Sequence, residues 1–190
     1  MKRTLVLACA LFALVLAPTT ATAAPYTVVT YNLGLLRAFG ADYVPAVDAR
    51  TKAAPAALAR LVSDARPHVL LLEEVWEDRA ADAIAKELSP LGYTVVHPDV
   101  HTIIGLSSGL LLCVAQPLKV VGWKFTPFQR TTFTDGFARK GILEATIEDT
   151  SDGARFALVG THTVAVDTNA GVPKDKGQVD AIMAQAEQIR

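Results

Sequence analysis

Hydrophobic residues along this chain recur at two spacings, and the alternation between them predicts strands interleaved with helices. Tyr26 to Leu33 (YTVVTYNL) is a β-branched and aromatic run that reads as a strand. From about Ala53 to Ala65 the spacing turns helical, with Leu58, Leu61 and Val62 on one face and Pro67 ending the pattern. His68 to Leu72 (HVLLL) is a short continuous apolar run, as expected of a strand covered on both faces. Glu77 to Leu88 is helical again, with Ala80, Ala81, Ile84, Ala85 and Leu88 inward.

Tyr93 to His97 reads as a further short strand, followed by Gly109 to Ala115 (GLLLCVA) and Leu118 to Phe125, which Pro117 separates. Gly141 to Glu148 and Arg155 to Thr163 form a predicted hairpin. Its turn is Thr150-Ser151-Asp152-Gly153, with glycine where positive φ is needed. A polar loop over residues 167–177 leads to a last helix, Gln178 to Arg190, which stops in mid-pattern without a glycine cap or a following strand. No repeat or interdomain linker interrupts the series, so the expectation is one α/β domain built on a mixed sheet.

Composition narrows the class. The chain has 190 residues, of which 51% are hydrophobic, enough for a sizeable core. Its net charge is −1 and no Lys/Arg run appears, so bulk electrostatics gives a nucleic-acid partner no support. Lys2 and Arg3 precede an apolar run from Leu5 to Ala17, and Ala21-Thr22-Ala23 offers a small-residue cleavage site. That pattern is a secretory signal peptide over residues 1–23, leaving a mature chain of 24–190 in a secreted or periplasmic location. The apolar run falls short of the roughly 20 residues a spanning helix needs. With Cys9 removed in the leader, Cys113 is alone in an apolar strand and reads as a small buried hydrophobe.

Four places set a polar residue at the end of an apolar strand, where α/β folds gather their chemistry. Asn32, in Thr30-Tyr31-Asn32, can ligate a hard cation through its carbonyl oxygen or simply open a turn. Glu73 and Glu74 follow a buried strand directly, where a carboxylate is costly unless solvated or cation-bound. Strand alternation allows only one of the two to face a given site. Lys140, in Phe137-Ala138-Arg139-Lys140-Gly141, can neutralise a phosphate or sit in a solvated basic turn. His162, in Gly160-Thr161-His162-Thr163, can hydrogen-bond a phosphoryl oxygen, move a proton, or be satisfied in a core. His97 and His101 lie in a loop without metal-ligand partners at helical spacing.

Taken in order, these places resemble the endonuclease/exonuclease/phosphatase superfamily. Thr30-Tyr31-Asn32 resembles its opening T-x-N strand, and Pro67 to Val75 (PHVLLLEEV) its P-D-V-x-x-L-Q-E-V signature. Gly109 to Leu118 is similar to its glycine-led strand and proline turn, and Thr161-His162-Thr163 to its T-H-L strand end. Within the superfamily the chain is most similar to secreted bacterial sphingomyelinases of the neutral, C type. Asp135-Gly136-Phe137-Ala138-Arg139-Lys140-Gly141 resembles their D-x-x-A-x-K-G motif, and Thr161 to Ala165 their T-H-T-Q-A. The last helix, with Gln178 and Ile182, resembles their R-x-x-Q-x-x-x-I, with Asp175 at the arginine position.

The resemblance implies a four-layered α/β sandwich of which only the first sheet half and its helices are present. It implies Mg²⁺, or another hard divalent cation, held by Glu74 with help from Asn32. His162 is then a catalytic residue at the phosphoryl group, with Lys140 and Asp135 ordering the loop or phosphate beside it. The substrate is a phosphodiester, on this resemblance a membrane phospholipid rather than nucleic acid. Trp76 would face lipid or pack in the core. His68, Glu73 and Val164 depart from the family pattern, and neither His68 nor Glu73 is expected to be a ligand. No G-D-x-N or S-D-H motif, which would position and activate water, occurs in the sequence. The expected function is a secreted Mg²⁺-dependent phosphodiesterase of the sphingomyelinase C type. The alternatives are a nuclease or phosphatase of the same superfamily, or a catalytically incomplete binding module.

Overall fold

The computed structural model describes residues 25–38, 40–102, 105–131, 137–163 and 176–190. The expected leader and Asp135 lie outside them. The elements run β1 (Val28–Asn32), β2 (Arg37–Ala38), β3 (Ala41–Asp42), α1 (Val47–Ala65), β4 (Val69–Val75) and α2 (Asp78–Leu88). Then come β5 (Tyr93–Val96), β6 (Gly109–Ala115), β7 (Leu118–Pro127), β8 (Gly141–Asp149), β9 (Arg155–Thr161) and α3 (Lys176–Ile189). One sheet has the order β1-β4-β6-β5, with β1 parallel to β4 and the other pairs antiparallel. A second, antiparallel sheet has the order β7-β8-β9, and β2 with β3 makes a two-stranded ribbon.

Strands β4 and β6 are apolar at successive positions, so both of their faces need cover. On one face Leu70, Leu72, Leu111 and Cys113 join Leu58 and Val62 of α1 and Ile84 and Leu88 of α2. On the other, Val69, Leu110, Leu112 and Val114 meet Leu143, Ala145 and Ile147 of β8. Strand β8 supplies that cover from one face only, since Glu144 and Thr146 between these residues are exposed. The expected single mixed sheet is therefore two sheets face to face, and strands of both are present rather than the first half alone. Continuous apolar runs are legible as doubly buried, but periodicity does not say what buries them.

Among the described residues the packed layers are α1 with α2, the first sheet and the second sheet. Helix α3 docks at the end of β7, where Gln185 Nε2 donates to Arg130 O at 2.9 Å and Gln188 Nε2 donates to Pro127 O at 3.0 Å. The outer face of the second sheet stays open there, with Val159 56% exposed. Helix α1 begins at Val47 rather than near Ala53 and holds Pro55 in its interior. Its added turns put Val47 on the buried face, in line with Ala54, Leu58 and Val62. Cys113 is a free, buried thiol, and burial pushes its pKa up to about 12, which removes it as a nucleophile.

Two contacts hold the ends of the sandwich. At one end Asp149 accepts hydrogen bonds from Ser151 N at 2.8 Å, Ser151 Oγ at 2.5 Å and the Tyr26 hydroxyl at 2.8 Å. It thereby ties the β8–β9 turn to the residues leading into β1. At the other end Gly109, at φ 74°, lies flat against the Trp76 indole: a Cβ there would come 2.5 Å from Cζ3. Trp76 is itself 1% exposed, so it packs in the core and does not face lipid.

The Ser151 hydroxyl and N–H, and then the Tyr26 hydroxyl, favour the ionised form of Asp149 and hold its pKa below the ordinary carboxyl value of 3.8. Its folded value is the lower one, so its contribution is complete above the unfolded value and disappears as pH falls through the folded value. Asp149→Asn should therefore flatten the acid limb of stability, read as urea midpoints followed from neutral pH into acid. An unchanged acid limb refutes the linkage. Gly109→Ala meets both a rigid indole and an unfavourable φ, and should destabilise the fold by on the order of 2–4 kcal/mol in chemical denaturation.

Candidate active site

Strand β4 runs apolar from Val69 to Leu72 and then meets Glu73 and Glu74. Two carboxylates cannot continue a strand that is covered on both faces without losing water. The strand bulges instead. Its pairing with β6 passes from Leu72↔Leu111 to Val75↔Gly109, so Glu73 and Glu74 together stand against Leu110. Glu74 takes a left-handed conformation at φ 59°, which costs an L-residue about 1–2 kcal/mol.

The bulge overturns the expectation that only one of the pair faces a given site. His162 Nδ1 lies 2.8 Å from Glu73 Oε2, within hydrogen-bond distance, and Nε2 of the same ring lies 3.8 Å from Glu74 Oε1. Alternation holds only while the strand keeps its pleat, and the left-handed residue breaks it. Glu73, read from its position as a bystander, is thus in direct contact with the candidate histidine.

Asn32 ends β1, the parallel neighbour, and is in register with Glu73. Its Nδ2 donates to Glu74 Oε1 at 3.0 Å, and its Oδ1 accepts from Gly34 N at 2.9 Å. The backbone follows the bulge as well: Leu33 N donates to Glu73 O at 3.0 Å and Leu35 N to Glu74 O at 3.3 Å. The side chain and backbone of the bulge therefore set the course of the β1–β2 loop.

His162 follows β9 and is held from both sides along the chain. Thr161 Oγ1 donates to Gly141 O, and Lys140 Nζ donates to Thr163 O, each at 2.9 Å. Gly160 rests on Leu71, where a Cβ would come 2.7 Å from Cδ1, so the two sheets approach closely just before the histidine. The imidazole meets Trp76 edge-on, with centroids 5.9 Å apart and planes at 82°. Lys140 is only 4% exposed and its Nζ lies 5.9 Å from the Trp76 ring centroid. It stands inward beneath the histidine segment, neither in a solvated turn nor at the surface.

Behind Trp76, Ser107 is fully buried and donates through N to Trp76 O at 3.0 Å and through Oγ to Val75 O at 3.3 Å. His97 Nε2 lies 3.1 Å from Ser107 Oγ, while its Nδ1 is 3.6 Å from Asp78 Oδ1. Burial lowers the His97 pKa from its ordinary value of 6.5, against the opposing pull of Asp78. His101 Nε2 donates to the same Asp78 oxygen at 3.0 Å. These two histidines, without partners on sequence spacing, tie residues 97–101 to Asp78 of α2. Trp76 Nε1 is a buried donor with no hydrogen-bond partner among the described residues.

Asn32, Glu74, His162 and Lys140 are thus brought to one end of the sandwich, and Glu73 and Trp76 join them. Among the described residues no group of three or more His, Cys, Asp or Glu is arranged to hold a metal ion. Glu74 offers the hard carboxylate oxygen that Mg²⁺ takes when substrate and water supply its other ligands, whereas Asn32 turns Nδ2 toward that carboxylate and gives its Oδ1 to Gly34 N. Among the described residues the side-chain contacts of Glu74 fall on Oε1. No helix among the described residues is long and apolar enough to cross a membrane.

No protein-family model matches the sequence, and no curated protein does. Solved structures do match. Sphingomyelinase C from Streptomyces griseocarneus aligns at a TM-score of 0.64 and 19% identity, over 87% of this chain and 57% of its own. A beta toxin variant from Staphylococcus aureus with bound magnesium ions aligns at 0.63 and 16%, over 86% and 57%. TDP2 from D. rerio, complexed with a single-strand DNA product, aligns at 0.56 and 11%, over 86% and 54%. The chain spans less than three-fifths of the length of each. What these likenesses establish is architecture alone: the chain shares the fold of these three solved structures over most of its length.

Proposed function

We propose that this chain is the metal- and phosphate-binding part of a secreted Mg²⁺-dependent phosphodiesterase of the sphingomyelinase C type, acting on a phospholipid. The observation that carries the reading is the convergence of Asn32 and His162, from two other strand ends, within 3.8 Å of Glu74 Oε1. The structural likeness to a sphingomyelinase C and to a magnesium-bound beta toxin supports the choice of metal and substrate class. The leader expected over residues 1–23 suits an enzyme that meets lipid outside the cell.

The Glu74 carboxylate fits the ion: it is partly buried and is held at Oε1 by the Asn32 amide. Bound there, a hard cation supplies Lewis-acid stabilisation of charge on a phosphoryl oxygen. Asn32 steadies the Glu74 carboxylate from its own side of the sheet. His162, with Nδ1 engaged by Glu73, turns Nε2 toward the phosphoryl group, to which it donates in the imidazolium form, where both ring nitrogens carry hydrogen. Lys140 orders the segment that carries the histidine, through the Thr163 carbonyl. Asp135 stays in the proposal on its motif alone.

The sequence holds neither a G-D-x-N nor an S-D-H motif. Metal binding is therefore the direct test of this chain. Calorimetric titration with Mg²⁺ or Mn²⁺ should show one site that Glu74→Ala abolishes and that Asn32→Ala weakens about tenfold or more. Equal affinity in the Glu74→Ala variant overturns the metal assignment. Substrate class is tested in a protein that joins this chain to those motifs, assayed on sphingomyelin, double-stranded DNA and inositol phosphates with and without EDTA. Sphingomyelin hydrolysis that EDTA stops supports the lipid reading, whereas EDTA-sensitive cleavage of DNA alone replaces it with a nuclease.

A further inference from the structure

The contact of Glu73 with His162 is left unexplained by the metal site, since Glu73 Oε2 reaches the ring nitrogen that faces away from Glu74. Three other constraints already act on this histidine. Hydrogen bonds at Thr161 and Thr163 fix its backbone, and the Trp76 edge limits one side of its ring. Rotation about the ring's own bonds, and the nitrogen that carries hydrogen, remain to be chosen. Glu73 is placed to choose both. It sits on the bulge, its carbonyl is held by Leu33 N, and its side chain is 24% exposed against 13% for His162.

We propose that Glu73 is the positioning residue of His162, and that it fixes the hydrogen on Nδ1 so that Nε2 is the edge presented beside Glu74. An ionised carboxylate only accepts hydrogen bonds, so its partner nitrogen must be a donor. A glutamine at this place presents an acceptor at one atom and a donor at the other, and leaves the ring a choice. The departure of Glu73 from the family pattern, which reads in the sequence as incidental, therefore carries a directional consequence for the histidine. The geometry depends on the bulge: in an unbroken pleat Glu73 and Glu74 would lie on opposite faces and could not bracket one ring. Glu73 acts through His162 and makes no contact with substrate.

This inference deepens the phosphodiesterase reading and rests on it for the role of the ring. The test is long-range ¹⁵N–¹H NMR of the His162 imidazole in the full chain. The wild type should show a hydrogen on Nδ1. Glu73→Ala should lose it, with the ring moving to the Nε2-hydrogen form common for imidazole without a partner, and Glu73→Gln should restore the Nδ1 hydrogen in at least part of the population. A folded wild type without hydrogen on Nδ1 overturns the proposal, as does an Nδ1 signal that Glu73→Ala leaves unchanged. Mn²⁺ titration of the same samples separates this outcome from the fate of the metal site. Broadening around Glu74 with no dependence of the ring on residue 73 removes the positioning role alone. A dependent ring without metal binding removes the phosphodiesterase reading alone.

Discussion

Strand β4 lies between two helices and a second sheet, and has no solvent face until its last residues. Polar chemistry can therefore enter this part of the molecule only where the strand leaves its pleat. The bulge at Glu73 and Glu74 is that departure, and the surrounding structure is organised about it. The β1–β2 loop takes its backbone hydrogen bonds from the two glutamate carbonyls. Asn32 takes its side-chain partner from Glu74, and His162 takes one from each carboxylate. Trp76 follows at once and is sealed against Gly109, which keeps water from the apolar side of the same turn.

The residues brought together at this end of the sandwich were legible for a simple reason. Asn32, Glu74 and His162 each end an apolar run, and Lys140 precedes one, so the strand pattern itself marks them. Their convergence at one end of the sandwich follows from parallel pairing of β1 with β4 and from the return of β9. The bulge was not legible, because no glycine or asparagine marks the left-handed position; glutamate occupies it. For that reason Glu73 read as a residue on the wrong face. The depth of Lys140 was not legible, since a basic residue beside glycine looks solvated until Trp76 and the Thr163 carbonyl are seen around it.

At the level of the fold, the doubly buried strands and the hairpin were readable from their periods. The partition into two sheets was not. GILEATIED shows its alternation plainly, yet nothing in that alternation says that its apolar side rests on Leu110 and Leu112. Among the described residues β1 is paired only with β4, and β9 only with β8. Tyr31 and Val159 on these edge strands are more than half exposed. Unpaired edges with apolar side chains are places where a protein has to limit association with other strands. The solved proteins with this architecture are longer chains than this one.

The left-handed glutamate also bears on how such a chain would respond to being improved. Glycine or asparagine at position 74 would relax the backbone and suit the bulge better. A screen rewarding only thermal robustness or expression would drift toward those substitutions and quietly erase the carboxylate. Robustness and the proposed metal site thus make opposite demands on a single backbone angle, and a variant that melts later through such a substitution has lost the Glu74 carboxylate.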